Sequence, residues 1–332
     1  MTARLAPAPP TRAVPQARSA RLPWTALPPA ARAEVERLLG SSVTWSRTQS
    51  GGFSRGVATR LRCADGTRAF VKAVPRHGDP YAVALYEREA AVAAQLPAAL
   101  PAPAFRGTVD TGDWLALVFD AAAGRTPPVP WRERDLRLVL GALVRLTELA
   151  ASCPVPAAKP WGGTLADWRG WNHLLGDREG LGGVEGLDGL APWARRHVDR
   201  LARLEESFPQ AARGDTLLHS DLRSDNILVA GSTVRFVDWA WAARGQDWID
   251  PMIFALCAAV QGLADPQGLF LAHPAGRAAD PRAVDSVLAA LAGSFVNASR
   301  QPADWDTGAI REFQRAEAAA TCRWLAARTG WE

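Results

Sequence analysis

The chain has 332 residues, of which 48% are hydrophobic and 22% charged, as in a folded protein of about two domains. These values exclude a wholly disordered chain, a collagen and a small disulfide-stapled protein. The net charge of +4 is spread along the chain without a Lys/Arg block, so nucleic-acid binding is not favoured.

The spacing of the cysteines and the length of the apolar runs exclude further classes of protein. The four cysteines form no CxxC pair, so we expect neither a zinc ribbon nor a disulfide framework. The longest apolar run, 252–264, is interrupted by Gln261 and is too short to cross a membrane. We therefore expect a soluble, cytoplasmic protein without a membrane partner. The sequence does not indicate its oligomeric state.

The first 122 residues predict a loose tail and a small lobe. Residues 5–23 are mostly Pro, Ala and Arg and lack the apolar stretch of a secretory signal. This favours a disordered tail over 1–22, with an Arg-rich transit peptide as the alternative. Over 23–122, hydrophobic periodicity and turn residues predict an antiparallel sheet with one inserted helix. The predicted elements are a short helix at 29–39, strands at 43–49, 57–63 and 67–74, a helix at 81–96, and strands at 104–109 and 114–119.

Long helices are predicted beyond Gly124, where apolar residues recur at helical spacing. The glycine-rich segment 174–189 is predicted to be a loop between two of these helices. We therefore assign 123–332 to a second, mainly helical lobe. The predicted helices cover 136–146, 192–207, 281–296 and 309–328.

The strongest signal is the spacing His219-x-Asp221-x4-Asn226 between two apolar runs, followed after a short hairpin by Asp238. A chance match is rare in a chain with five histidines. Asp and Asn also occur in ordinary turns, but flanking strands that hold three such side chains favour a functional loop. Two carboxylates and an amide oxygen are the hard ligands that suit Mg²⁺.

On these motifs, the chain from about Ser41 onward resembles the aminoglycoside phosphotransferase-like branch of the protein-kinase superfamily. The resemblance implies an α+β, bilobal fold with an N-terminal antiparallel sheet plus helix and a larger, mainly helical C-terminal lobe. It implies that Asp221 orients the acceptor hydroxyl as a base. It also implies that Asn226 and Asp238 hold Mg²⁺ on the phosphates of ATP or GTP.

Lys72 lies on the third predicted strand, in a chain where only two of the 38 basic residues are lysine. The resemblance implies that this lysine grips the α- and β-phosphates and is positioned by a glutamate of the following helix. Glu89 is the preferred partner because it shares a helix face with Leu85 and Val92, and Glu87 is the alternative.

Further residues are implied to contact the nucleotide. The turn 50–56 contains Gly51 and Gly52, which would let backbone amides approach the phosphates. Phe70 lies on the same strand face as Lys72, and stacking on the base and ordinary packing in the sheet are equally good interpretations. The predicted hinge, whose backbone meets the base, covers 119–122, and Phe119, Asp120 and Ala121 are its candidate nucleotide contacts.

Two departures from protein kinases favour a small-molecule acceptor over a protein-bound one. Position 220 is Ser rather than the Arg that couples to a phosphorylated activation loop. Only the 11 residues 239–249 separate Asp238 from Asp250, too few for a long activation segment. Arg223 is interpreted either as a ligand of the γ-phosphate or as a surface ion pair. Asp250 is interpreted as a buried brace of the catalytic loop.

The sequence thus predicts a phosphotransferase with a hydroxylated small-molecule acceptor, for which an aminoglycoside-like antibiotic and a metabolic substrate fit equally. The alternative is a catalytically silent nucleotide-binding module, against which the complete motif set argues. A polycationic acceptor would need an acidic pocket. Its candidate residues are Glu205, Glu206, Asp304, Asp306, Glu312 and Glu317. Six tryptophans either line such a pocket or, as we favour for most of them, pack helices: Trp161, Trp168, Trp171, Trp239, Trp241 and Trp248.

Overall fold

The computed structural model describes residues 21–52, 56–151, 155–164, 169–176, 190–301 and 309–332. In its N-terminal part, five antiparallel strands form one sheet in the order β1-β2-β3-β5-β4. The sequence-predicted strands are all present, with ends shifted by at most one residue. The strands are β1 (Val43–Thr48), β2 (Val57–Cys63), β3 (Arg68–Pro75), β4 (Phe105–Asp110) and β5 (Trp114–Asp120).

Both predicted helices of this lobe are also present. Helix α1 (Pro29–Leu39) ends at Gly40, whose φ of +75° is the left-handed conformation that glycine adopts without steric cost. Helix α2 (Pro80–Ala93) begins after Asp79, whose carboxylate accepts two backbone N–H groups of the first turn. It ends at Ala93, three residues before the predicted end at 96. A residue directly before a proline, here Leu96 before Pro97, is disfavoured in a helix.

The C-terminal lobe is mainly helical. Its helices are α3 (Glu133–Ala150), α4 (Trp161–Thr164), α5 (Gly170–Leu175), α6 (Leu190–Glu206), α7 (Phe208–Ala211), α8 (Ile249–Val260), α9 (Pro266–Ala272), α10 (Pro274–Ala278), α11 (Pro281–Arg300) and α12 (Ala309–Thr329). Short strands β6 (Lys159–Pro160), β10 (Ala243–Gly245) and β7 (Thr216–Leu218) form a three-stranded sheet, and β8 (Ile227–Ala230) pairs with β9 (Thr233–Phe236) as a hairpin. The predicted α+β, two-lobed architecture is therefore confirmed.

The four long predicted helices correspond to α3, α6, α11 and α12, whereas α8 was not predicted. Nine of the twelve residues of α8 are buried, so it lacks the one-sided apolar period by which a surface helix is recognised. The apolar run 252–264 thus belongs largely to a core helix. None of the helices in the described ranges is long and apolar enough to cross a membrane.

The connection between the lobes runs from β5 to α3 and is fixed on β8. Gly124 has a φ of +109°, and a Cβ there would lie 2.7 Å from the carbonyl oxygen of Val229. The backbone of Arg125 then exchanges hydrogen bonds of 3.1 and 2.8 Å with Val229. A second contact between the lobes is made by α2, which packs against the short helix Trp239–Trp241.

The buried apolar side chains of the described residues form three hydrophobic cores. The largest lies among the C-terminal helices, and two smaller ones lie on opposite faces of the N-terminal sheet, as alternation along its strands requires. The predicted tail, apart from its last two residues, and most of the predicted loop 174–189 lie outside the described residues.

Candidate active site

The loop that carries the His-x-Asp motif joins β7 to β8 and is held in place by a buried carboxylate. Asp250, in the first turn of α8, is 2% exposed. Its two oxygens accept the backbone N–H groups of His219 at 2.7 Å and Ser220 at 2.9 Å. The brace expected from Asp250 is therefore present, and it fixes the backbone immediately before Asp221.

His219 ties this loop to the segment that carries Asp238. The ring is fully buried, and its Nδ1 accepts the N–H of Asp221 at 3.3 Å. Its Nε2 therefore donates to the carbonyl of Val237, at 2.9 Å. Burial lowers the pKa of His219, which keeps the ring neutral. Among the described non-glycine residues, only Ser220 and Asp238 have φ near +66°, a strain typical of functional sites.

Asp221 is held on both sides by neighbours of its own loop. The side-chain nitrogen of Asn226 donates to the carboxylate and to the carbonyl of Asp221, each at 2.9 Å. On the other side, a guanidinium nitrogen of Arg223 lies 3.2 Å from Oδ1 of Asp221. Burial raises the pKa of Asp221 to about 6, with Arg223 opposing the increase. A carboxyl group that titrates near neutrality suits a general base.

Arg223 is an ion-pairing residue in this structure. Besides Asp221, it binds both carboxylate oxygens of Asp225, at 3.1 and 3.0 Å. The pair is not at the surface, as one sequence interpretation held, because the Arg223 side chain is only 17% exposed. Contact of Arg223 with a γ-phosphate stays a prediction.

Lys72 joins the two lobes through two carboxylates. Its ammonium lies 2.6 Å from Oε2 of Glu89 on α2 and 3.0 Å from Oδ1 of Asp238. Burial opposes the charged form, but Asp238 and Glu89 outweigh it and raise the pKa of Lys72 well above its ordinary value. The expected Lys72–Glu89 pairing is present, and the alternative partner Glu87 instead pairs with Arg76 on the lobe surface.

A cavity of about 540 Å³ opens beside these groups, between the lobes. One wall has Ala58 and Phe70 from the N-terminal sheet, and the facing wall has Leu228 and Val237. Predicted site residues that line it are Gly51, Gly52, Phe70, Lys72, Glu89, Phe119, Asp120, Asn226 and Asp238. A Cβ on Gly51 would lie 3.9 Å from that of Asp225, so the glycine turn lies over the catalytic loop.

The backbone of the predicted hinge is partly engaged by the sheet. The N–H groups of Asp120 and Ala121 donate to the carbonyls of Ala104 at 2.8 Å and Arg68 at 3.2 Å. Phe119, Asp120 and Ala122 of the hinge line the cavity. Contact of the hinge backbone with a base stays a prediction.

Asn226 and Asp238 have the donor chemistry that Mg²⁺ requires. The side-chain nitrogen of Asn226 donates to Asp221, so the side-chain oxygen of Asn226 is the atom of this amide that can act as a metal ligand. Burial would raise the pKa of Asp238, but Lys72 holds it below the ordinary range, so it is a carboxylate. Across the described ranges, no three His, Cys, Asp or Glu side chains form a metal cluster. Mg²⁺ does not need one, since it is held by one or two carboxylates plus phosphates and water.

The described members of the suggested acidic acceptor pocket do not gather in one place. Glu205 is buried and accepts the backbone N–H groups of Trp171 and Asn172, each at 3.1 Å, at the start of α5. Glu206 lies 3.7 Å from Arg169, and Glu312 is exposed on α12. Asp304 and Asp306 lie outside the described residues, as does Trp168. Four of the tryptophans suggested for this pocket pack in the core as favoured and are 0–4% exposed: Trp161, Trp171, Trp239 and Trp248. Of these, Trp239 also lines the cavity. Trp241 is half-buried.

Helix α12 brings two more residues to the catalytic loop. The Phe313 ring centre lies 5.8 Å from the guanidinium carbon of Arg223. Glu317 lies one turn further along α12, and burial raises its pKa to about 8, with Arg223 opposing. The sequence carried a signal for this pair, since residues four apart share a helix face. Of the four suggested acidic residues that the structure describes, Glu317 is the one that interacts electrostatically with Asp221.

Solved structures of small-molecule kinases share this architecture. Aminoglycoside phosphotransferase APH(4)-Ia, in a ternary complex with AMP-PNP and hygromycin B, is 14% identical with a TM-score of 0.61, covering 92% of this chain and 100% of that one. An aminoglycoside phosphotransferase from Alicyclobacillus acidocaldarius is 15% identical with a TM-score of 0.52, covering 87% and 92%. A choline/ethanolamine kinase family protein from Mesorhizobium loti is 18% identical with a TM-score of 0.53, covering 90% and 94%.

No protein-family model and no curated protein matches the sequence. At identities of 14–18% the structural likeness shows the fold. The chain therefore has the bilobal fold of aminoglycoside phosphotransferases and related small-molecule kinases, and the resemblance seen in the sequence is confirmed at that level.

Proposed function

We propose that the protein is a small-molecule kinase, which transfers the γ-phosphate of ATP or GTP to a hydroxyl group of its acceptor. One observation carries the proposal. Lys72, Asn226 and Asp238 line the same cavity, and the carboxylate of Asp221 accepts a hydrogen bond from the side chain of Asn226. These are the residue types that phosphoryl transfer requires for positioning and for charge stabilisation.

The cavity supports a specific orientation of the nucleotide. The base fits between the apolar side chains of Ala58 and Phe70 above and Leu228 and Val237 below. The phosphates then extend toward Lys72 and the glycine turn. Of the two interpretations of Phe70, this orientation favours stacking on the base, since the ring is only partly buried.

In the proposed reaction, the acceptor oxygen attacks the γ-phosphorus while the bond to the β–γ bridging oxygen breaks. The nucleoside diphosphate leaves with that electron pair, and the acceptor proton passes to the carboxylate of Asp221. Asn226 keeps this carboxylate oriented, and Lys72 binds the α- and β-phosphates. Mg²⁺, held by Asn226 and Asp238, would neutralise phosphate charge when bound.

The acceptor side of the loop favours a positively charged substrate. Asp221 and Asp225 both pair with the guanidinium of Arg223, so two carboxylates lie beside one cation. Glu317 interacts electrostatically with the same groups, and because its pKa is raised to about 8, a cationic acceptor would favour its ionised form. The Phe313 ring adds a surface that attracts cations. We infer that the acceptor is a hydroxylated small molecule with amino groups, of which an aminoglycoside is one example.

The proposal is tested by nucleoside-diphosphate release from the full chain with Mg²⁺ and ATP or GTP. The panel includes aminoglycosides, amino alcohols, and neutral sugars and polyols. Turnover with a cationic acceptor is expected, and Asp221→Asn should abolish it while leaving nucleotide binding within about twofold, because the amide cannot accept the proton. Nucleotide binding without turnover on any acceptor would instead favour the silent module. Wild-type turnover in Asp221→Asn would overturn the role of Asp221.

A further inference from the structure

The polypeptide that precedes α1 crosses both ends of the glycine turn. The N–H of Leu22 donates to the carbonyl of Gly56 at 3.3 Å, and Leu22 forms a parallel bridge with Val57 at the start of β2. Trp24, two residues later, is 6% exposed and packs in the core between the sheet and α1. The segment 21–24, here called the strap, is therefore anchored in the lobe that carries the turn.

Arg21 of the strap grips the other end of the turn. Its Nε and Nη2 both donate to the carbonyl of Gly51, at 3.2 and 2.7 Å. The guanidinium lies directly against Gly52, where φ is +81° and a Cβ would lie 2.5 Å from Nη2. Arg21 also lines the cavity. The backbone conformation favours glycine at position 52, and a side chain there would have to displace the guanidinium of Arg21.

We propose that the strap preorganises the glycine turn for the nucleotide phosphates, with Arg21 as its positioning residue; this rests on the proposed nucleotide-binding function. A planar peptide whose carbonyl is held by Arg21 also has its N–H, that of Gly52, fixed in the opposite direction. Backbone N–H groups in such turns are the donors that bind phosphate. Holding Gly51 and Gly52 in place in advance avoids the entropy cost of ordering these two residues when the ligand binds.

The charge of the cavity makes the effect of Arg21 specific to the phosphates. Among the described residues, the ionisable groups that line the cavity are three bases, Arg21, Arg60 and Lys72, and four acids, Glu89, Asp120, Asp225 and Asp238. Removing Arg21 takes one of these three bases away from a ligand that is itself strongly anionic. An uncharged nucleoside, which has no phosphates to contact the turn, should be nearly indifferent to this change.

The test compares the binding of AMP-PNP with Mg²⁺ and of adenosine, or the guanosine pair if that binds more tightly, to the full chain. In Arg21→Ala the Kd for the triphosphate analogue should rise about tenfold, equivalent to about 1.4 kcal/mol, and the Kd for the nucleoside should stay within about twofold. Arg21→Lys keeps the charge but not the fork, and should bind the analogue several-fold more weakly than the wild type. The matched variant Arg37→Ala, at an exposed arginine of α1, should change neither value.

Unchanged analogue binding in Arg21→Ala, or an equal loss for analogue and nucleoside, would overturn the role of the strap. Full affinity in Arg21→Lys would show that charge alone acts and would overturn positioning. If Arg21→Ala does not fold, Arg21→Lys is compared with the wild type instead, by the ratio of the Kd for the analogue to the Kd for the nucleoside. If the wild type binds neither ligand, the proposed function fails, which is distinct from failure of the strap.

Discussion

The ammonium of Lys72 lies 3.0 Å from the carboxylate of Asp238, although 166 residues separate them along the chain. Lys72 is on the central strand of the N-terminal sheet, and Asp238 directly follows the β8–β9 hairpin of the other lobe. Glu89 completes the contact from α2, at 2.6 Å from the same nitrogen. Three elements that carry the candidate chemistry thus meet at one atom, on the wall of one cavity.

Replacing Lys72 with arginine tests this junction. The Lys72 side chain is 12% exposed, and a planar guanidinium is too large for the space and directs its donors differently. We expect turnover to fall tenfold or more, equivalent to about 1.4 kcal/mol of transition-state stabilisation, with little change in the melting temperature. Lys159→Arg, at the exposed second lysine, is the matched variant and should keep full activity. Full activity in Lys72→Arg would contradict the phosphate role.

Removing the carboxylate of Asp238 should abolish the Mg²⁺ dependence of nucleotide binding. In Asp238→Ala the proposed metal site retains only Asn226, which is too weak a donor set on its own. Calorimetric titration of AMP-PNP with and without Mg²⁺ measures the effect. Asp120→Ala removes another carboxylate from the same cavity and should leave the metal dependence intact, because that side chain pairs with Arg106. Equal metal dependence in wild type and Asp238→Ala would locate the metal elsewhere.

The sheet and the His219 loop could be predicted because each is defined by a local pattern in the sequence. Strands at 57–63 and 68–75 are short, alternate in burial over 59–63 and 68–73, and are closed by the turn at Gly66, so local patterning is sufficient to define them. The His219 loop was found because its polar residues interrupt apolar strands at a fixed spacing. The partner of Lys72 was found because Glu89 lies on the buried face of α2.

The remaining features depend on contacts that no local pattern encodes. Glu205 was expected in an acceptor pocket, but it caps α5, which it meets only through tertiary packing. Helix α8 is buried on nearly all sides, so its sequence shows no one-sided apolar period from which a helix could be predicted. Arg21 was assigned to a tail, and its contact with Gly51 depends on where Trp24 anchors the chain. Composition could identify that tail as proline-rich but could not show where its last two residues pack.

Asp250 should stabilise the fold as well as the loop. In Asp250→Ala, two buried N–H groups, those of His219 and Ser220, lose their acceptor. We expect a loss of about 2–5 kcal/mol in the free energy of unfolding and loss of turnover, as measured by urea denaturation and by nucleotide release. Asp247→Ala, at an exposed position three residues earlier, should change stability by less than about 0.5 kcal/mol. A variant at position 250 with wild-type stability would show that the brace is dispensable.

Glu317 should make stability depend on pH in a direction set by its raised pKa. Its ordinary pKa is 4.5, and burial near Asp221 and Asp225 raises it to about 8 in the fold, despite Arg223. Between these two values the folded state binds more protons than the unfolded chain, so this group lowers stability progressively as pH rises. Glu317→Gln removes the ionisation, so its melting temperature relative to wild type should increase from pH 5 to pH 8. Glu312→Gln, on the exposed face of the same helix, should show no such trend in thermal unfolding at pH 5, 6.5 and 8. A difference between Glu317→Gln and wild type that stays constant with pH would mean that Glu317 ionises at the same pH in both states.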